Sequence, residues 1–246
     1  MDIEKIVSEV TREILAQMNA GFPSPQTGGK SGADIAHTIE HSVMNPDTTR
    51  DKIISACREA RDGLMANVCV SPYYVSLAAE CLRGSNVKVC TAVGFPHGAA
   101  STAAKVAEAR EAIKNGAQEL DVAMNILAIK NGELKEAQRD LEEVLDAARG
   151  RALVKAIYEQ CLYSEQEKVA ALQTIRAAGA DFVKISNALS GKKACAEDVK
   201  FVRNVLGPGI GIKIDGGIGD AQTIRELMAA GADRFGCSKS VQVING

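Results

Sequence analysis

Lys184, in Ala180-Asp-Phe-Val-Lys-Ile185, and Lys213, in Gly209-Ile-Gly-Ile-Lys-Ile214, each interrupt a short apolar run that reads as a β-strand. In a parallel sheet both faces of such a strand are covered, and no solvated side remains for an ammonium group. Burying one is expensive, so lysines at these places point to chemistry. The reaction that most needs a lysine of lowered pKa is imine formation with a carbonyl compound. An ordinary lysine, with a pKa near 10.4, is almost wholly protonated at neutral pH and cannot attack a carbonyl. A second ammonium about 6 Å away, at an effective dielectric of ~20, disfavours the charged form by roughly 2.8 kcal/mol, or about two pK units. Desolvation acts in the same direction.

These lysines need strands to hold them. Apolar short runs alternate with helix-period segments from residue 33 onward, the pattern of βα units around a parallel sheet. Eight strands are expected, near 36–40, 66–70, 87–93, 119–123, 152–157, 182–185, 211–214 and 234–237. Helix starts are marked by Thr48-Thr-Arg-Asp51 and Ser164-Glu-Gln-Glu167, both of capping-box form, and by Ser71-Pro72. Asn115-Gly-Ala-Gln-Glu-Leu-Asp-Val122, Ala178-Gly-Ala-Asp-Phe-Val-Lys-Ile185 and Ala230-Gly-Ala-Asp-Arg-Phe-Gly-Cys237 repeat one theme: a helix end, a glycine cap, then a strand. Eight such units predict a (β/α)8 TIM barrel over 33–246, with an open doubly wound sheet as the alternative. Strand alternation sends Leu120, Val122, Val183, Ile185, Ile212 and Ile214 toward the helices. Asp121, Lys155, Lys184 and Lys213 then converge on the barrel mouth, as a reactive site or as a salt-bridge cluster that sets barrel geometry.

The first 32 residues read as a separate device. Ile3, Ile6, Val7, Val10, Ile14, Leu15 and Met18 form one stripe of a helix within residues 1–20, and residues 21–32 are a Pro/Gly/Ser linker. Such a helix needs a partner for its apolar face. It either folds back on its own barrel or docks elsewhere. In pattern it resembles the encapsulation peptides that tether enzymes inside bacterial microcompartment shells, which implies a shell protein as partner. The balance of 29 basic and 31 acidic residues argues against nucleic-acid binding. No apolar run has the length of a membrane span, and the charged N-terminus is no secretory signal. Seven cysteines without a C-x-x-C pair suit a reducing cytoplasm.

Five segments carry a specific family resemblance: Asn67-Val-Cys-Val-Ser-Pro72, Thr91-Ala-Val-Gly-Phe-Pro-His97 up to Ala107-Glu-Ala-Arg-Glu111, Glu119-Leu-Asp-Val122, Asp181-Phe-Val-Lys184 and Lys213-Ile-Asp-Gly-Gly-Ile218. In their order along the chain they resemble the deoxyribose-phosphate aldolases, Schiff-base lyases built on a (β/α)8 barrel. The resemblance implies Lys184 as the imine-forming lysine, Lys213 as the neighbour that lowers its pKa, and Asp121 as the acid/base carboxylate acting through water. It implies Gly216, Gly217, Gly236 and Ser238 as the phosphate site, with Lys155, Glu40 and Cys69 in support. The implied reaction is reversible cleavage of 2-deoxyribose 5-phosphate to acetaldehyde and glyceraldehyde 3-phosphate, without metal or organic cofactor, in a homo-oligomer, a dimer by family habit. The alternatives are a related aldolase acting on another aldehyde or sugar, or a non-catalytic barrel that binds a phosphosugar or a shell partner.

Several positions depart from the family pattern. Ile185-Ser-Asn-Ala188 replaces the usual Thr-Ser-Thr-Gly, Asp215 stands where a small residue is usual, Gly219 where an arginine often is, and Glu40 where Asp is usual. A carboxylate facing a phosphate would repel it, so either Asp215 turns away or the substrate differs. Lys192, Lys193 and Lys239 are candidates to restore positive charge. His37-Thr-Ile-Glu-His41 matches the H-x-x-E-H zinc pattern, but that pattern needs a helix and this stretch reads as strand 1. His97 is expected to shape the loop after strand 3, and Cys69 and Cys237 to be small core residues or reactive thiols at strand ends.

Overall fold

The computed structural model describes residues 34–187, 189 and 191–246. The expected helix of residues 1–20 and its linker therefore lie outside the described residues. Eight parallel strands close on themselves: β1 (Ile39–Val43), β2 (Asn67–Val70), β3 (Lys88–Val93), β4 (Glu119–Ala123), β5 (Leu153–Glu159), β6 (Phe182–Ser186), β7 (Gly211–Asp215) and β8 (Arg234–Cys237). The pairing of β1 with β8, Glu40 beside Gly236, excludes the open sheet. Between and after them run α1 (Arg50–Asp62), α2 (Val75–Cys81), α3 (Thr102–Lys114), α4 (Ile126–Lys130), α5 (Leu134–Ala148), α6 (Glu165–Ala178), α7 (Ala196–Leu206), α8 (Ala221–Ala229) and α9 (Ser240–Asn245). None of the described helices is long and apolar enough to cross a membrane.

The core lies between the sheet and the helices. Leu120, Val122, Val183, Ile185, Ile212 and Ile214 are completely buried there, as strand alternation requires. Their alternates fill the barrel interior, which is why charged side chains can sit on strands whose other face is largely apolar. Local signals act largely as read. Ser164 and Glu167 form a reciprocal capping box at α6, and Gly179 ends that helix in the left-handed conformation. At α1 the cap is Thr49, one residue beyond the expected start, its hydroxyl accepting from Lys52 N. Strand β1 begins three residues later than expected. Ala36–Thr38 is a 3-10 turn in which the Thr38 hydroxyl donates to Ile35 O at 2.6 Å, and this local bond competes with extension.

Candidate active site

Alternation along the strands delivers Glu40, Glu119, Asp121, Lys155, Lys184, Lys213 and Asp215 to the barrel interior, where they form one charged cluster. The register sets Asp121 beside Lys155, and Lys184 beside Lys213. Lys184 Nζ lies 2.8 Å from Asp121 Oδ2 and 2.7 Å from Asp215 Oδ2. Lys213 Nζ lies 2.6 Å from the same Asp121 oxygen and 2.5 Å from Glu40 Oε2. Lys155 Nζ reaches Asp121 Oδ1 at 3.1 Å and Glu119 Oε2 at 2.6 Å. Three ammonium groups thus face four carboxylates, a net formal charge of −1.

Within this cluster Glu40, Asp121, Lys155, Lys184 and Lys213 hold one another in their charged forms. Burial alone would raise the Asp121 carboxyl, yet Lys155, Lys184 and Lys213 keep it well below the ordinary carboxylate range. Glu40 is lowered in the same way, burial being outweighed by Lys155 and Lys213. For Lys184, burial favours the neutral amine and Lys213 repels the charge, as the sequence predicts. Asp121 and Asp215 outweigh both, and its pKa lies above the ordinary lysine value. Lys213 is raised too, burial opposed by Asp121, Asp215 and Glu40. In the unliganded site Lys184 is therefore an ammonium, and it must lose a proton before it can attack.

Lys184 opens onto a cavity of about 600 Å³ at the C-terminal end of the strands, while Lys213, Lys155 and Asp121 lie beneath its floor. Ser42, Cys69, Ala92, Gly216, Gly217, Gly236 and Ser238 are among the residues that line it. Lys192, Lys193 and Lys239 stand at the rim and are exposed. Gly217, with φ of 64°, lies so close beneath Lys193 that a Cβ would come within 2.7 Å of its Cγ. The cavity is thus cationic at its rim and ion-paired at its floor.

All ten site residues predicted from the sequence are at this mouth or directly below it. Asp215 does not turn away. It shares the inward face of β7 with Lys213, and opposite it stands Gly236, where any Cβ would overlap Asp215 Oδ1. The sequence reading also missed Glu119, held by Asn67 Nδ2 at 2.7 Å, and Cys90, whose thiol donates to Asp121 Oδ1 at 3.3 Å. Period-two alternation from Asp121 and Lys213 was the available signal for Glu119 and Asp215. The zinc pattern does not assemble: Glu40 points into the barrel, while His41 turns outward to Glu59 and Ser240. Cys69, Cys90 and Asp121 approach one another closely enough to hold a cation, but lysine ammonium groups already engage both Asp121 oxygens. His97 is exposed on the loop after β3, and Cys237 is buried at the end of β8 with its thiol on Ile218 O.

A closed (β/α)8 barrel with such a cavity at the C-terminal mouth is an enzyme of the TIM-barrel class, and its lysine-centred site is of the kind that handles carbonyl compounds. Residues 34–240 match the model of the DeoC/LacD family of aldolases, and the chain belongs to that family. It is 44% identical to a deoxyribose-phosphate aldolase of a Geobacillus species, over 87% of this chain and 96% of the relative. Identity to the enzyme of that name from Clostridium tetani is 42%, over 86% of this chain and 98% of the relative. The fold is also similar to that of the tetrameric deoxyribose phosphate aldolase of Aeropyrum pernix, with a TM-score of 0.80 and 26% identity over 96% of this chain and 95% of that one.

Proposed function

We propose that this lyase reversibly cleaves 2-deoxyribose 5-phosphate to acetaldehyde and glyceraldehyde 3-phosphate through an imine on Lys184. The observation that carries the reading is the position of Lys184. Of the three interior lysines it alone lines the cavity. Relatives that bear the name of this activity support the substrate. Once deprotonated, Lys184 adds to the aldehyde carbon, and loss of water leaves an iminium that draws electrons from the adjacent carbon–carbon bond. Removal of the C3 hydroxyl proton, with Asp121 acting through water, releases glyceraldehyde 3-phosphate and leaves an enamine. Protonation of the enamine carbon and hydrolysis then free acetaldehyde. While the iminium forms, Lys213 and Asp121 hold fixed charge beside the nitrogen, and such preorganised charge needs no rearrangement. The walls at Gly216, Gly217, Gly236 and Ser238, with the rim lysines, take the phosphate.

The inward carboxylate of Asp215 supports a second reading, a related aldolase with a smaller demand for phosphate. Comparing cleavage of 2-deoxyribose 5-phosphate with that of 2-deoxyribose decides between them. The first reading expects the phosphorylated sugar to be cleaved at least tenfold more efficiently by kcat/KM. Equal efficiency would favour the second, and no cleavage of either would point to a binding protein. Residues 1–20 are proposed to dock the enzyme on a microcompartment shell protein within the cytoplasm, on the strength of their amphipathic stripe and linker. Deleting 1–32 should leave turnover unchanged and abolish shell association. Self-association, as in the Aeropyrum relative, is checked by sedimentation.

A further inference from the structure

Two carboxylates touch the Lys184 ammonium, and they are not equivalent. Asp121 is completely buried. Its Oδ2 accepts from Lys184 and Lys213, and its Oδ1 from Lys155 and Cys90, which occupies the four acceptor positions of a carboxylate. It lies below the cavity floor and cannot itself meet a substrate oxygen. Asp215 lies on the cavity wall, its side chain 23% exposed. Oδ2 is 2.7 Å from Lys184 Nζ, and Oδ1, buried against Gly236, makes no hydrogen bond among the described residues. Lys213 Nζ stands 3.9 Å from that second oxygen. Gly236 leaves the space this carboxylate fills.

We propose that Asp215 is a catalytic residue that carries protons between the Lys184 nitrogen and the substrate oxygen as the imine forms and breaks. This rests on the imine reading of Lys184 given above. In the forward direction the Asp215 carboxylate takes one proton from the Lys184 ammonium, leaving an amine and a carboxylic acid. The nitrogen lone pair forms a bond to the aldehyde carbon, and the C=O π pair moves onto oxygen. Asp215 gives its proton to that oxygen and takes one from the nitrogen, so the carbinolamine is neutral and Asp215 is again an acid. The lone pair on nitrogen then expels the hydroxyl group, which leaves as water with the proton of Asp215. The products are an iminium, with the single positive charge that the ammonium carried, and the Asp215 carboxylate beside it. While the imine forms and breaks, Asp121 remains the counter-charge below, and its water-relayed proton transfer belongs to the later carbon–carbon cleavage. The position is specific to a chain in which glycine stands opposite on β8, because any Cβ there would displace the carboxylate from the nitrogen.

The test is the rate at which borohydride traps acetaldehyde on Lys184, measured for the full chain and for Asp215→Asn and Asp215→Ala at neutral pH. Asp215 helps keep Lys184 protonated, so a merely electrostatic role predicts faster trapping in both variants. Proton transfer by Asp215 predicts the reverse, trapping slower by roughly 100-fold or more. Sodium formate should then restore Asp215→Ala by tenfold or more, but not Asp215→Asn, whose amide fills the space. Unchanged or faster trapping would overturn the proposal, and so would slow trapping that formate does not relieve, since displacement of Lys184 alone would cause that. Wild-type protein that traps nothing on Lys184 would mark failure of the imine reading itself, and this proposal with it. Trapping in the wild type with no loss in Asp215→Asn would remove only the role of Asp215.

Discussion

Two buried lysines in this molecule bind carboxylates with almost the same geometry and serve different ends. Lys105, on α3, is completely buried and places Nζ 2.6 Å from Asp140 of α5 and 3.0 Å from Ala123 O. The second Asp140 oxygen accepts from Thr102 at 2.8 Å. That set is sealed, with one cation, one anion and neutral partners, and the cavity does not reach it. Lys184 is gripped at similar distances, but by two carboxylates, beside a second ammonium, and with a cavity over its nitrogen. Burial of a lysine is thus no mark of chemistry by itself. Competing charges and a path for a substrate separate the reactive lysine from the one that joins two helices to a strand end.

The sharpest way to break this contrast is to remove each lysine in turn. Lys184→Met should lower aldol cleavage by several orders of magnitude, since neither Lys155 nor Lys213 lines the cavity. Its Tm should move by only about 2–4 °C, because Asp121 keeps two other lysines and Asp215 is partly exposed. Lys105→Met should do the opposite. It strands Asp140 without its cation and should cost about 3–5 kcal/mol of stability, while turnover per folded molecule stays near wild type. Denaturant titration beside a cleavage assay reads both. If Lys105→Met instead lost turnover while folding normally, the distinction between the two lysines would fall.

A second variant sharpens the comparison. Lys105→Met combined with Asp140→Leu replaces a buried pair by apolar packing and should recover most of the lost stability, to within about 1–2 kcal/mol of wild type. The analogous removal of both Lys184 and Asp121 would recover no activity. Stability that stayed as low in the double variant as in Lys105→Met would mean that the pair acts through more than its own charges.

Acid separates the two regions less strongly. Asp121 and Glu40 have folded-state pKa values below their ordinary ones of 3.8 and 4.5. The unfolded chain therefore binds protons first as pH falls, and the stability these groups provide is present above the ordinary values and lost as pH drops through the lowered ones. Acid unfolding should begin below about pH 4.5, and Asp121→Asn should flatten that pH dependence. The smallest effect belongs to His41, whose pKa burial lowers from 6.5 against the pull of Glu59. The unfolded histidine takes a proton first, so stability should decline slightly as pH falls below about 6.5, and His41→Gln should remove that slope. A slope of the opposite sign would mean that Glu59 outweighs burial.

Much of the site was readable from β-strand periodicity. Once Lys184 and Lys213 were assigned to strands, alternation sent them and Asp121 inward and their neighbours toward the helices. The same rule, carried two residues further along β7, places Asp215 inside as well. Its charge beside a phosphate leaves two readings, an outward Asp215 or a different substrate, and pattern alone cannot weigh them. The net direction of the Lys184 pKa was unreadable for the same reason, since it depends on where a second carboxylate points. Lys105 and Asp140 left a fainter signal. Each lies on the buried stripe of its helix, with Val106, Ala109 and Ala112 on α3 and with Ala137, Leu141 and Val144 on α5. One charge in an apolar stripe is ambiguous, and only the packing of α3 on α5 brings the two together. The late start of β1 and the cap at Thr49 were set by local hydrogen bonds that compete within one or two residues.

The most direct test of the contrast between the two lysines is borohydride reduction in the presence of 2-deoxyribose 5-phosphate, followed by peptide mass mapping. A reduced adduct on Lys184, none on Lys105, Lys155 or Lys213, and none in Lys184→Met is the predicted result. An adduct on another lysine, or none where a control imine-forming aldolase is trapped, would contradict the assignment of Lys184 as the reactive group.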